Sequence, residues 1–500
     1  MQTISNIDWR AAATSTRVPR RAGTTTGQGS GHIRRYWPRR APWSRWMLPG
    51  PTRQSPEADP MNDHVPVRAT AARAPQPRSM RKIAFASVIG TTVEWYDLFV
   101  FGTASALVFN KVFFPSFDPL AGTLLAFGTF ASAYLARIVG AALFGHFGDR
   151  LGRKSMLLTS LLIMGLATFA IGLLPNYSVI GIWAPILLLT LRLIQGLALG
   201  GEWGGAVLMA VEHAPDNRRG LYGSWVQIGV PAGTLLANFA FLIANALMST
   251  EALVSWGWRI PFLVSILLVA VGLYVRLNTA ETPSFQKVKT AGAQASVPFV
   301  ALMAKNWKRV VLGGVATMST GTSFNLIVAF GLTYGTQTLG FSRNEMLSIA
   351  LLSCGACLLL LPAFGLLSDV IGRKPVIVGG IIAEAIVAFP LFWLMDTKVF
   401  SLALVGYLLM MTAFAANYGP IATFLAELFG TKVRYSGLSI SYMLSGVLGS
   451  AATPIVTTAL LQATGTGSSV AWYMIGSAAI STIALLMLVE TLKADLAEAH

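Results

Sequence analysis

From Ile83 onward the chain alternates between apolar runs of twenty or more residues and short polar breaks. Twelve such runs occur, at 83–109, 121–147, 155–174, 179–210, 221–248, 259–278, 308–338, 344–367, 375–395, 400–429, 436–463 and 470–490. Each is long enough to cross a bilayer as a helix. None breaks into the ten-residue alternating segments of a membrane β-barrel. The pattern predicts an all-α polytopic membrane protein with twelve transmembrane helices.

Composition agrees, with 54% hydrophobic and 12% charged residues, far too little charge for the surface of a soluble domain of this size. The formal net charge of +16 invites a nucleic-acid partner, but its placement argues against one. Residues 1–80 hold 13 Arg, no Lys and 4 acids. Most other basic residues lie in loops. With the first residue inside, the even-to-odd loops carry Arg150, Arg153, Lys154, Arg218, Arg219, Arg276, Lys287, Lys289, Lys305, Lys308, Arg309, Arg373, Lys374, Lys432 and Arg434. The odd-to-even loops carry only Lys111, Arg259, Arg343 and Lys398. The positive-inside rule then places both termini in the cytoplasm. The expected partner at this stage is the lipid bilayer, with no nucleic acid.

The first eighty residues lack a long apolar run and are rich in Arg, Pro, Ala and Gly. They read as a disordered basic extension, with Met61 or Met80 as the true start; an Arg-rich transit peptide is the alternative. GQGSG (27–31) follows no strand and is not a nucleotide fingerprint. Cys354 and Cys357 have the spacing of a redox or metal pair. They fall inside a span with no His or second pair beside them, so helix packing is their expected role and no metal site is assigned.

The chain repeats itself. GHFGDRLGRKSML (145–157) and GLLSDVIGRKPVI (365–377) share G-x-x-x-D-x-x-G-R-K. Glu212 precedes Arg219 by seven residues, as Glu427 precedes Arg434. These repeats divide the chain into an extension (1–80), an N-terminal six-helix half (81–278), a linker (279–307), a C-terminal half (308–490) and a short tail (491–500). The glycines allow two helix ends to approach, and Asp149 and Asp369 are placed to cap neighbouring helices. Gly145, Asp149, Arg150, Gly152, Arg153, Lys154, Glu212, Arg219, Asp369, Gly372, Arg373, Lys374, Glu427 and Arg434 form the expected cytoplasmic gate. For the individual basic residues, simple topology-setting charge is the competing role. GDRLGRKS is not a Walker loop, because its glycines are too close together and no strand precedes it.

Two copies of this motif on a six-plus-six chain resemble the major facilitator superfamily over residues 83–490. Within it, VEWYDLFVFG (93–102), YLARIVGAALFGHFGDRLGRK (134–154), RLIQGLALGGEWGGA (192–206), SWGWRIPF (255–262) and ETPSF (281–285) resemble the metabolite:proton symporters. That group includes carriers of shikimate, 2-oxoglutarate, citrate, proline and betaine. The resemblance implies the major facilitator fold, two pseudo-symmetric halves, and a multi-pass protein of a bacterial inner membrane acting as a monomer. One departure is Arg137-Ile138, where the group usually has Arg-Pro.

Ionisable residues at membrane depth are costly and mark function. Gly90, Glu94, Asp97, Phe101 and Ser105 make one stripe on the first span, and Arg192, Gln195, Leu199 and Glu202 make one on the fourth. An acid in a low-dielectric cavity holds its proton, and a nearby arginine promotes its release. Carriers of the resembled group are thought to use a first-span Asp and a fourth-span Arg in this way. Asp97 is therefore the expected proton carrier and Arg192 its partner; a static ion pair is the alternative. Glu94 and Glu202 are second proton sites or cavity wall. Glu384 is in the ninth span, peripheral in this fold, and has no assigned role.

Arg137 suits a substrate carboxylate. Gln195, Gln227, Asn238, Ser323, Asn325, Asn417 and Tyr418 are the expected polar lining. The reading is a proton-coupled symporter for a small organic acid or related polar metabolite, driven by the proton gradient without a cofactor. A proton-coupled efflux antiporter of the same fold is the alternative, weakened because GVPAG (229–233) only partly matches the denser antiporter signature. No G-x-S-x-G or HExxH set supports an enzyme. The short tail argues against an osmosensing coiled coil.

Overall fold

A computed structural model describes residues 77–116, 119–277, 290, 298–492, 494 and 496. The basic extension up to residue 76 and most of the linker, with ETPSF, lie outside the described residues. Twelve bilayer-length helices follow one another: α1 (Pro77–Ala104), α2 (Pro119–Leu151), α3 (Arg153–Leu173), α4 (Trp183–His213), α5 (Asp216–Ala244), α6 (Leu253–Leu277), α7 (Leu302–Leu339), α8 (Asn344–Ile371), α9 (Arg373–Asp396), α10 (Phe400–Glu427), α11 (Arg434–Thr464) and α12 (Gly467–Leu486). The ten from α3 to α12 are long and apolar enough to span a bilayer on their own. In hydrocarbon every backbone polar group must be satisfied within the chain, which is why these segments form helices. The outer surface is apolar, with Leu247, Leu359, Val370 and Ile386 exposed. Charged side chains are instead buried inside, including Glu94, Asp97, Arg192 and Glu202.

The halves pack alike. α2 on α4, α3 on α4, α1 on α5 and α3 on α6 have counterparts in α8 on α10, α9 on α10, α7 on α11 and α9 on α12. Across the halves α2 meets α11, and α5 meets α8.

Both copies of the repeat make the same turn. Gly152 ends α2 at φ 116° and Gly372 ends α8 at φ 107°, values that favour glycine. The chain then reverses directly into α3 and α9. α1, α7 and α11 each widen into a π turn, at Ser105–Phe109, Leu326–Phe330 and Gly446–Ala451, and α5 breaks around Ile228. Such irregular turns often mark functional segments. α2, by contrast, runs unbroken through Arg137-Ile138.

Candidate functional site

A cavity lies between the halves and encloses about 550 Å³ of empty space, its open mouth included. α1 contributes Trp95 and Phe99, α2 contributes Tyr134 and Arg137, and α5 contributes Val230. From the other half come Asn325 and Phe324 of α7, Phe414 and Tyr418 of α10, and Tyr442 of α11. A mostly apolar lining with few convergent polar groups is usual for small-molecule sites. Arg137 supplies the positive charge of this lining. Its guanidinium lies 4.8 Å from the Tyr134 ring centre and 6.0 Å from that of Trp95. Its Nε and the Trp95 Nε1 have no hydrogen-bond partner among the described residues.

Asp97 lies two residues from both Trp95 and Phe99, on the far side of α1 from the cavity, and is buried. It does not pair directly with Arg192. A relay of side chains joins them instead: Arg192 Nη1 donates to Gln195 Oε1 at 3.1 Å, Gln195 Nε2 to Thr168 Oγ1 at 2.6 Å, and Thr168 Oγ1 to Asp97 Oδ2 at 2.9 Å. The Asp97 Oδ1 has no partner. The Arg192 guanidinium rests 4.1 Å from the Phe101 ring centre. Thr168 is a residue that the sequence did not single out. It carries no charge and resembles any other α3 hydroxyl until α1 and α4 are packed against it. Gln195 belongs to this relay and not to the cavity wall.

Glu202 meets Arg276 of α6 at 2.6 Å. The charge count placed Arg276 in a loop. The structure corrects this: its side chain is buried, and Arg276 Nη1 also donates to the Leu157 carbonyl at 3.0 Å. Gly90 makes room for it, since a Cβ there would stand 2.3 Å from Arg276 Nη2. Glu94 is buried between these groups and the cavity wall, with no partner for its Oε2.

Of the expected polar lining, Arg137, Asn325 and Tyr418 reach the cavity. Gln227 lies beneath it, accepting from Trp203 Nε1 at 3.0 Å and donating to the Tyr418 carbonyl of the other half at 3.1 Å. Trp203 stacks on Tyr442 with centres 3.6 Å apart, and Tyr442 shares a 2.7 Å hydrogen bond with Tyr418. This layer closes the cavity floor. Ser323 and Asn417 are buried behind the wall, and Asn238 is half-buried outside the lining.

The repeated motifs meet at one end of the bundle. Asp149 accepts from the Tyr435 and Ser436 amides at 3.3 and 3.1 Å, at the start of α11. Asp369 accepts from the Gly220 and Leu221 amides at 2.7 and 2.9 Å, within α5. Each aspartate thus caps a helix of the opposite half, where a negative charge favours the helix N-terminus. Gly145 lets the helices close, with a Cβ position 2.8 Å from Ser436 Cα. Glu212 takes Arg153 from its own half and Arg434 from the other, the latter at 2.9 Å. Glu427 takes Arg373 at 3.2 Å and Arg219 of the other half at 3.9 Å. Arg150 is exposed. Among the described residues, every ion pair joining the halves lies at this end.

The tail, which carried no expected role, laces this end. Glu490 accepts from the Arg373 and Lys374 amides at 3.0 and 2.9 Å, and Lys374 Nζ reaches the Leu488 carbonyl. Arg219 Nη1 donates to the Ala494 carbonyl at 2.8 Å, and Arg434 Nη2 to that of Leu496 at 2.9 Å.

Comparison with known proteins is consistent with this architecture. The family model of the sugar (and other) transporters matches residues 83–301 and 286–500. An inner membrane metabolite transport protein of Escherichia coli, YhjE, is 42% identical over 83% of this chain and 95% of its own length. The shikimate transporter of the same organism is 38% identical over 83% and 95%. A glycine betaine/proline/ectoine/pipecolic acid transporter of Dickeya dadantii is 34% identical over 82% and 84%. Structures of the proton:xylose symporter XylE share the fold, one with a TM-score of 0.67 at 19% identity, covering 83% of this chain and 98% of that one. The chain is therefore a membrane transporter, not an enzyme, and belongs to the sugar (and other) transporter family of the major facilitator superfamily.

Proposed function

We propose that this protein is a proton-coupled symporter that brings a small organic acid into the cell across the inner membrane. The observation that carries the reading is the relay from Arg192 through Gln195 and Thr168 to Asp97, buried directly behind a cavity whose charged lining residue is Arg137. Arg137 and Trp95 Nε1 hold the substrate carboxylate, and the aromatic wall holds its carbon skeleton. Asp97 takes a proton while the cavity is open on the outside. When the motif end opens, the cavity floor of Trp203, Gln227, Tyr418 and Tyr442 parts, Arg192 shifts, and the proton and substrate leave together. The motif end then faces the cytoplasm, as the basic loops indicate, and the work is done by the proton gradient without a cofactor. One cavity between two halves of one chain is sufficient for this cycle in a monomer. Proton-coupled transport in named relatives of the fold supports the reading.

The test is to express the full chain in de-energised, weakly buffered bacterial cells and follow external pH. Shikimate, 2-oxoglutarate, citrate, benzoate, proline and betaine are added in turn. Alkalinisation triggered by an organic acid, absent from empty-vector cells, is the expected result. Acidification instead would assign the protein to efflux by antiport.

A further inference from the structure

The sequence gives Glu384 a peripheral helix and no task; the structure turns it inward. It is 2% exposed and lies at the middle of α9 (Arg373–Asp396), at membrane depth. Asn417 Nδ2 of α10 donates to both of its oxygens at 3.2 Å and to Ser319 Oγ of α7 at 2.9 Å. No cation is within ion-pair distance of the Glu384 carboxyl among the described residues. α12 and the buried stretch of α7 contain no Asp, Glu, Lys, Arg or His, and the charged residue of α10 is Glu427 at its end. The titratable groups of the helices packed around α9 are Tyr334 on α7, whose hydroxyl donates to Asp396 at 2.7 Å, Tyr407 and Tyr418 on α10, Tyr473 on α12, and Cys354 and Cys357 on α8. The charges on α8 and α10 stand at their ends, in Glu345, Asp369 and Glu427.

This arrangement mirrors the Asp97 site in the other half. There the first, third and fourth helices of the half bring together Asp97, Thr168 and Gln195. Here the first, third and fourth helices bring together Ser319, Glu384 and Asn417. The acid has moved from the first helix to the third, and the arginine has no counterpart. Asn417 Oδ1 is also buried without a hydrogen-bond partner, so the cluster can still accept a hydrogen bond. A carboxyl in such a place needs a proton or a cation to be tolerated. Asn417 is its one hydrogen-bonding side chain among the described residues, and with no cation to balance the charge the proton is what remains.

We propose that Glu384 is a second proton-exchanging carboxyl of this carrier, loaded in the conformation closed at the motif end. α7 provides the means of release. Its helix is interrupted at Thr317 and widens again at Leu326–Phe330, either side of Ser319 and Ser323. When α7 flexes as the halves rock, Ser319 parts from Asn417 and water reaches the carboxyl. The inference rests on the proton-coupled reading above, and its test separates the two.

Purified full-length protein is followed by infrared difference spectroscopy through a pH titration in light and heavy water, with no substrate present. The band read is the carbonyl stretch of a protonated carboxyl. The wild type is expected to show two titrating, deuterium-shifted components. Glu384→Gln removes one and Asp97→Asn the other. Asn417→Ala, which leaves the acid in place, shifts the Glu384 component in frequency; this second variant decides the matter if Glu384→Gln does not fold. A spectrum of Glu384→Gln superimposable on wild type overturns the proposal. So does a Glu384 band that never titrates, which marks a permanently neutral structural acid. Loss of the Asp97 component alone from expectation would refute the Asp97 role and leave Glu384 standing.

Discussion

Glu212 offers the most direct test of the gate. Its side chain is fully buried and joins Arg153 of its own half to Arg434 of the other. Glu212→Gln keeps the shape and removes the charge. The Arg153 contact stays within one half, so its loss weighs on both conformations and largely cancels. The Arg434 contact, at 2.9 Å, exists only when this end is closed. A hydrogen bond to a charged group contributes about 1.5–3 kcal/mol. At about 1.4 kcal/mol per tenfold, the balance moves toward the open form by about 10- to 150-fold. A wild-type population of about one open molecule in a hundred would then become about one in ten at the lower limit and more than half at the upper. Asn217 and Lys432 are exposed at this end, one in each half, and accept spin labels on introduced cysteines. The native Cys354 and Cys357 are buried and stay unlabelled. Pulsed distance measurement is expected to show one short distance in wild type and a prominent longer one in Glu212→Gln. Identical distributions would mean that the cross-half pair does not hold the gate, and the reasoning fails.

Four further outcomes follow from the same geometry. Asp97→Asn is expected to abolish uphill accumulation while exchange of solute down its gradient survives; accumulation equal to wild type would remove Asp97 from the coupling. Arg137→Lys keeps the charge but loses the planar fork, so KM for a carboxylate substrate should rise by about 10-fold or more, with an unchanged KM refuting direct contact. Glu202→Gln alone leaves Arg276 buried without its partner and should cost about 3–5 kcal/mol, whereas Glu202→Gln with Arg276→Met should recover most of the loss; thermal unfolding in detergent reads both, and equal melting of single and double variants would contradict the pairing. Removing residues 490–500 takes away the tail carbonyls that Arg219 and Arg434 bond, and the spin-label pair should report opening at the motif end; no change would make the tail a passive contact.

Much of this protein is legible without a structure. Twelve apolar runs give twelve helices because hydrocarbon leaves a spanning segment almost no other way to satisfy its backbone. The repeat at 145–157 and 365–377 is visible because both copies make the same glycine turn, and a positive φ is written in residue type. Charges at membrane depth announce themselves by cost alone, which is why Glu94, Asp97, Arg137, Arg192 and Glu202 stand out. Which groups touch is another matter. Periodicity gives the face of a helix but not its neighbour, so Asp97 and Arg192 share a depth in the sequence while only packing reveals Thr168 and Gln195 between them. Arg276 looks like a loop charge until α6 is laid against Gly90. Gln227 looks like cavity lining until Trp203 and Tyr418 claim it. The motif residues are readable as a gate, but their crossing is not: Glu212 chooses Arg434, and Glu427 chooses Arg219, each from the opposite half. Glu384 is the clearest case. Its cost is evident from the sequence; its surroundings depend on an asparagine and a serine from helices that only the tertiary structure brings together.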